Sequence, residues 1–418
     1  MGRTARDKRD IPHPRPVERI ELTWENYRLR IIAAVVFLAV GLWLLARAVA
    51  GLLGTDPGWQ VIETDSNAAV NCGGDFTFYY ELGGSGMSAA AEKRALTAVY
   101  TDAAVTAYRL FSADESFEGV TNVCDLNRRP NEILTVDGAL YAAFELLERC
   151  ADRSVYLGPV CELYNGLFSC QEDWQTRDFD PYANPEIAAY YAEAAAFARD
   201  PGSVQVELLG GGQVRLRVSE EYLAFAQANE TDRFIDLSWL TNAFIADYLA
   251  EALARQGYTH GSLSSYDGFI RNLDSRELDY ALNLYDFADG TIRPAGVMNY
   301  RGPRSMAYLW DYPLSVSDSR RMYLLETGEV RTDYVSTGDG RCKSAAHNLI
   351  AWSDGLGCAE IALRIAPIYV ADALDVTALE ALADSGIQSV RFEDRVIRGT
   401  DPGLTLTDLY EGYTARLG

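Results

Sequence analysis

Apolar residues run without a break from Ile31 to Ala46, and after Arg47 the run resumes from Ala48 to Leu53. Taken as one helix, residues 31 to 54 span roughly 36 Å at about 1.5 Å per residue, enough to cross a hydrocarbon core of about 30 Å with some tilt. Arg47 opposes this, since a charge at a helix centre costs about 2.5 to 3.5 kcal/mol. It lies past the middle, however, and its long stem lets the guanidinium reach toward the headgroups. A buried helix of a soluble protein and a cleaved signal peptide stay open as alternatives. The run is longer than a signal h-region, and residues 1 to 30 precede it.

Beyond residue 57 the pattern changes to short alternations and amphipathic stretches. Asp75 to Leu82 alternates like a strand, Gly83-Gly84-Ser85-Gly86 breaks it, and Met87 to Phe111 reads as a long Ala-rich helix. Thr135 to Cys150 carries an apolar stripe of Leu140, Phe144, Leu146 and Leu147, the mark of an amphipathic helix. Residues 160 to 185 look irregular, and Pro185 opens a helix that runs to about Arg199. Val204 to Leu209 and Val214 to Val218, joined by Gly210-Gly211-Gly212-Gln213, form a hairpin, followed by a helix over Ser219 to Asn229. Asn242 to Gln256 is an amphipathic helix, and Ser262 to Arg321 alternates short strands with turns. Ala359 to Ala366 reads as a strand, Val370 to Ala383 as a helix, Ser389 to Ile397 as a closing hairpin, and 398–418 as a tail. Helices interspersed with antiparallel hairpins, and no internal repeat, point to one integrated α+β domain.

Charge adds an orientation. Residues 1 to 30 hold eight Arg or Lys, whereas Thr55, Asp56 and Pro57 follow the apolar run, so the positive-inside rule makes 1–30 a cytoplasmic basic tail. The main domain is then extracytoplasmic. Nine of the 37 basic and five of the 60 acidic residues lie in the first 54, leaving 28 against 55, a balance of −27. Such a domain is repelled by nucleic acid and by anionic lipid. Lysine is scarce, at Lys8, Lys93 and Lys343 only. All seven cysteines fall beyond the apolar run, in a compartment where disulfides can form, but their number is odd and no pairing follows from spacing. Neither they nor His13, His260 and His347 make a zinc pattern. Asn229-Glu230-Thr231 fits the glycosylation triplet. The 25 tyrosines suit core and surface packing or the lining of a ligand cleft.

Several stretches resemble the ApbE family, the FAD:protein FMN transferases. Asn71-Cys72-Gly73-Gly74-Asp75-Phe76 is similar to the family's opening strand at the flavin site. Val123-Cys124-Asp125-Leu126-Asn127 is similar to a segment ending in Leu-Asn. Ile235-Asp236-Leu237-Ser238-Trp239-Leu240-Thr241-Asn242-Ala243, continuing to Asp247, resembles Ile-Asp-Leu-Gly-Gly-Ile-Ala-Lys-Gly-Tyr-Ala-x-Asp. Ala371-Asp372-Ala373-Leu374-Asp375-Val376-Thr377-Ala378-Leu379 resembles the family's metal-binding helix, Ala-Asp-Ala-Leu-x-Thr-Ala-Leu. The resemblance covers about 62–397 and implies an ApbE-like mixed helix and sheet domain. It also implies an activity in which Mg²⁺ helps split the FAD pyrophosphate and FMN passes to a Ser or Thr of an acceptor protein.

Carried over position by position, the resemblance implies contacts to the flavin cofactor from Asp236, Asp247, Asp267 of Tyr266-Asp267-Gly268, and Tyr334. Asp333 and His347 become the catalytic candidates, and Asp372, Asp375 and Thr377 the Mg²⁺ ligands. The family's Lys-Gly pair falls on Asn242-Ala243, so a charge that would face phosphate is absent. Thr377 lies five residues after Asp372, about 140° around a helix, whereas Asp375 lies about 60° away and could serve as the second oxygen ligand; if Asp372 lies just before the first regular turn, the geometry relaxes and Thr377 could still reach. The structural alternatives are helix-start acids at 372 and 375 that complement the macrodipole, a turn acid at Asp236 and a solvated helix face at Asp247. Three functions remain: a membrane-anchored flavin transferase, a non-catalytic relative that serves as a flavin-binding or scaffold protein in an envelope redox assembly, or a general envelope structural domain with no ligand.

Overall fold

The computed structural model describes residues 27–53 and 55–418, and the chain divides into two compact units at Thr55/Asp56. In the first unit a single helix, Tyr27–Leu53, takes in the whole apolar run. Its described side chains, among them Phe37, Leu38, Trp43 and Leu45, are exposed. Most of the expected basic tail, 1–26, lies outside the described residues, as do the side chains of 46–53. Among the described residues no helix is long and apolar enough to cross a membrane.

The second unit is built on a nine-stranded sheet whose strands follow one another in space as they do in sequence. They are β1 (Gly58–Ile62), β2 (Phe76–Leu82), β3 (Gly261–Ser265), β4 (Phe269–Asn272), β5 (Arg304–Trp310), β6 (Asn348–Ser353), β7 (Gln388–Glu393), β8 (Val396–Gly399) and β9 (Thr414–Leu417). Every neighbouring pair is antiparallel except β8 and β9, which are parallel. Side chains alternate between two buried faces. Phe78, Leu263, Ala307, Leu309, Leu349 and Ala351 point into a core shared with the helices Ala89–Phe111, Thr241–Arg255 and Cys358–Tyr369. Met306, Tyr308, Trp310, Ile350 and Trp352 point the other way, against a three-stranded sheet of Asp279–Ala288, Thr291–Arg301 and Thr405–Thr407. A smaller lobe joins Ile133–Thr135 to the hairpin Val204–Gly210/Gln213–Val218, flanked by the helices Gly138–Cys150, Pro185–Arg199 and Glu220–Ala228.

Most expected elements are present within a few residues, including the 185–199 helix, the glycine-turned hairpin and the closing hairpin. The α+β class holds. Three readings need correction. Residues 160–185 are not irregular throughout: Gly158–Tyr164 and Asp173–Thr176 are helical. The expected tail 398–418 supplies β9 and Thr405–Thr407, which pairs with Val297–Asn299, so the domain extends through the C-terminal residues. The segment 359–366, expected as a strand, lies in the helix Cys358–Tyr369. Ile361, Leu363 and Ile365 mimic a two-residue period. The polar positions, though, are Glu360 and Arg364, which pair at 2.6 Å across one helical turn.

That helix is started from a distance. Asp247 accepts hydrogen bonds from the backbone N–H groups of Cys358 (2.8 Å) and Ala359 (2.9 Å). Arg271 holds the same carboxylate at 2.9 Å. A Cβ on Gly357 would sit 2.3 Å from Asp247 Oδ2, so the cap requires glycine there. Asp247→Ala leaves two helix-terminal donors and a guanidinium unpaired. It should destabilise the domain by about 2 kcal/mol or more in chemical denaturation, with FAD titration unchanged from that of the wild-type protein.

Candidate functional site

The segments that the sequence singles out converge where β3 turns into β4. Tyr266 donates its N–H to the Asp75 carbonyl (2.9 Å), which ties the turn to the start of β2. Asp267 accepts from Asn242 Nδ2 at 2.9 Å, from the first turn of the 241–255 helix. Asp333 and Tyr334 arrive just after the short strand Val330–Thr332. Trp239 meets the Tyr334 ring edge-on at 5.2 Å, and Tyr369 does the same from the other side at 5.2 Å. Asp267, Asp333 and Tyr334, chosen from sequence, do come together.

At their centre lies Arg321, which sequence reasoning missed. Its side chain is 2% exposed. The guanidinium donates to Tyr334 Oη at 2.8 Å, stands 3.5 Å from Asp333 and 3.4 Å from Asp318, and lies 4.4 Å from the ring centre of Trp310. Burial works against its charge, but Tyr334, Asp333, Asp267 and Asp318 more than offset it and raise its pKa. Burial likewise pushes the Asp333 carboxyl up to about 7, with Arg321 pulling the other way and Asp267 adding to the rise. Asp267 is raised by burial, opposed by Ser265, Arg321 and Asn242, and its Oδ1 has no protein partner. Next door, Arg320 lies over the Tyr266 ring (4.1 Å) and pairs with Asp75 at 2.5 Å.

The remaining candidates are dispersed. Asp236 is buried, bound to Arg233 (2.8 Å) and the Ser238 N–H (2.7 Å), and burial raises its pKa. It secures a loop, and Arg233 passes on to Asp114. Asp247 is the helix cap described above and takes no part in the cluster. His347 is half exposed, bonded through Nδ1 to Asp311 (3.0 Å), and its pKa is raised chiefly by that bond. It borders a 680 Å³ cavity together with Asp286, Phe287, Leu374, Val376 and Arg391. The 374–376 segment therefore does meet His347, although Asp333 lies elsewhere.

Of the three expected metal ligands, Asp372 and Asp375 are engaged with other partners. Asp372 is 84% exposed and is held by Lys343 Nζ at 3.0 Å, an ammonium that also takes Asp339 at 3.1 Å. Asp375 is the N-cap of the helix Val376–Asp384, accepting from the Ala378 N–H at 3.0 Å. Thr377, inside that helix, is exposed. The regular helix begins six residues later than expected, at Val376 rather than Val370, so Asp372 lies before its first turn and helical spacing no longer relates it to Asp375 and Thr377. Among the described residues no three His, Cys, Asp or Glu side chains are placed to hold a metal. Mg²⁺, which needs near-octahedral oxygen ligation, does not fit Asp372, Asp375 and Thr377 as they stand. All seven cysteines carry free thiols.

No family model and no curated protein matches the chain. Solved structures do. The ApbE protein from Thermotoga maritima is similar over 80% of this chain and 94% of its own, at 12% identity and a TM-score of 0.51. The flavin transferase ApbE from Vibrio cholerae is similar over 81% and 94%, at 14% identity and a TM-score of 0.50. The chain thus has an ApbE-like fold, as the sequence resemblance implied.

The buried cluster gives two outcomes. Arg321→Met removes one partner from a buried ionic group and should cost about 3 to 5 kcal/mol of stability in denaturant titration. An unfolded Asp titrates near 3.9, so between about pH 4 and 7 the native state keeps the Asp333 proton that the unfolded chain releases. Stability then falls as pH rises through that window, by at most about 1.4 kcal/mol per unit. Asp236, Asp247 and Asp267 act in the same sense. Asp333→Asn should therefore flatten the decline in melting temperature from pH 5 to 8 without abolishing it.

Proposed function

We propose that the protein is a membrane-anchored, non-catalytic ApbE-fold module, a binding or scaffold protein on the outer side of the membrane in which flavin transfer has been lost. The observation that carries this reading is the Arg321 guanidinium. It fills the point where the would-be flavin segments meet, and it pairs there with Asp333 and Asp318. A diphosphate or a metal entering at that point would have to compete with this internal pairing. Trp310, Tyr334 and Tyr369, all buried, pack the space around it. At the other end of the expected site, Lys343 pairs with Asp372, and Asp375 caps a helix.

Anchoring is supported by the 27-residue helix, apolar from Ile31 to Ala46 and exposed along its described length, with basic residues before it and an acidic domain after it. The transferase reading, with FAD, Mg²⁺ and an acceptor Ser or Thr, is favoured by the likeness across 94% of the Thermotoga chain. One assay decides between them. Full-length protein in detergent, given FAD, Mg²⁺ and a Thr-containing acceptor protein, should release no AMP and leave no fluorescent acceptor band. Mg²⁺-dependent AMP release that disappears in Asp372→Ala would overturn the proposal. A parallel FAD titration, read by flavin fluorescence, separates a flavin-binding module from a scaffold without flavin.

A further inference from the structure

The three-stranded sheet covers only part of the outer face of the main sheet. It lies over Met306, Tyr308, Ile350 and Trp352, and ends at Tyr280 and Tyr300. Beyond that edge the outer faces of β1 and β2 present Trp59, Val61 and Tyr79, with Glu81 opposite Trp59 and paired to Arg276. Strand register fixes which residues they present: Val61 lies opposite Tyr79, and Tyr79 opposite Ser262. Trp59 is two residues from Val61, on the same face. Trp59 is 44% exposed, Val61 42% and Tyr79 49%, while their inward neighbours Ile62, Phe78 and Tyr80 are buried. Trp59 meets Tyr280 edge-on at 6.2 Å, and the two help wall a 610 Å³ groove with Tyr79, Ile270, Leu282 and Tyr300.

We propose that this aromatic face rests on the lipid surface, where it seats the domain against the membrane that holds its helix. The inference depends on the anchoring proposed above. Three observations select lipid as the occupant. Trp59 follows Leu53, the helix end, by only six residues, a length that reaches at most about 20 Å when fully extended. Tryptophan and tyrosine are the residue types enriched where protein meets headgroups, since one end of each ring is apolar and the other polar. The charged groups at the rim are paired internally: Arg276 with Glu81 and Asp274, Arg301 with Asp279, and Arg304 with Asp354. Three arginines against four acids leave this rim close to neutral in a domain carrying −27, and zwitterionic lipid, which has no net charge, does not oppose its approach.

The test uses the full chain reconstituted in phosphatidylcholine vesicles with brominated acyl chains, which quench nearby tryptophan emission, against unbrominated vesicles. The helix carries Trp43, so Trp43→Phe measures anchoring and Trp59→Phe measures the face. The expected result is that each substitution removes part of the quenching. In Val61→Glu, which places a charge on the exposed face, the share due to Trp59 should fall while the share due to Trp43 stays. Quenching of Trp43 without Trp59 overturns this inference, leaves the anchor standing and reserves the face for a protein partner. Absence of quenching at both positions overturns the anchor and the inference together.

Discussion

A guanidinium that cannot lose its proton sits out of contact with water, and much of the domain is arranged around that fact. Taking such a charge from water costs several kcal/mol unless carboxylates and hydrogen bonds replace the hydration. Around Arg321 the replacements come from three places: Asp318 three residues before it, Asp333 twelve after it, and Asp267 in the turn between β3 and β4. Asp318 is itself fixed by the N–H groups of Leu314 and Ser315. The faces of Trp310 and Tyr334 complete the enclosure. None of these groups can move away without leaving an unpaired charge inside the protein. The cluster therefore resists rearrangement, although Arg321 Nε and Nη2 and one oxygen each of Asp267 and Asp318 are left without a hydrogen-bond partner.

The same device recurs through the acidic domain. Arg233 bridges Asp236 and Asp114, Arg271 holds Asp247, Arg331 holds Asp180 at 2.9 Å, and Lys343 joins Asp339 to Asp372. With 28 basic residues against 55 acidic ones beyond residue 54, cations are few, and Arg233, Arg331 and Lys343 each serve two carboxylates. Four of the acids that sequence likeness marks for flavin or metal, Asp236, Asp247, Asp333 and Asp372, are held by these cations. Each is explained by the structure it supports. Chemistry on a diphosphate needs the opposite: unspent positive charge facing the substrate, and acids free to take a metal.

How far the chain could be read before folding depended on whether the signal was local. The Pro185 helix start, the Gly210-Gly211-Gly212 turn and the stripe of the 138–150 helix are written in adjacent residues, and the structure keeps them. The 358–369 helix was misread because its run of Ile361, Leu363 and Ile365 is buried on nearly every side. Its cap, Asp247, lies more than a hundred residues earlier. Central strands such as Asn348–Ser353, buried at all six positions, show no alternation to detect. In the site, Asp267, Asp333 and Tyr334 were legible by likeness. Arg321 was not, because an arginine in the string Ser319-Arg320-Arg321 has the composition of a surface turn, and only the tertiary fold brings the aspartates to it.

The two faces of the main sheet divide the remaining possibilities. Where both are covered, from β5 to β8, the strands are locked between layers, and one cavity opens beside His347. Where the outer layer stops short, the strands β1 to β3 keep a buried inner face of Phe78, Tyr80 and Leu263, so they need no further covering to stay folded. Their outer residues are free of that duty. An exposed Trp-Val-Tyr face that folding does not require implies a use outside the fold, since a contiguous apolar patch on a soluble surface promotes association. On the function proposed above, the interaction chemistry lies on the surface, at Trp59, Val61 and Tyr79, rather than in the cluster around Arg321.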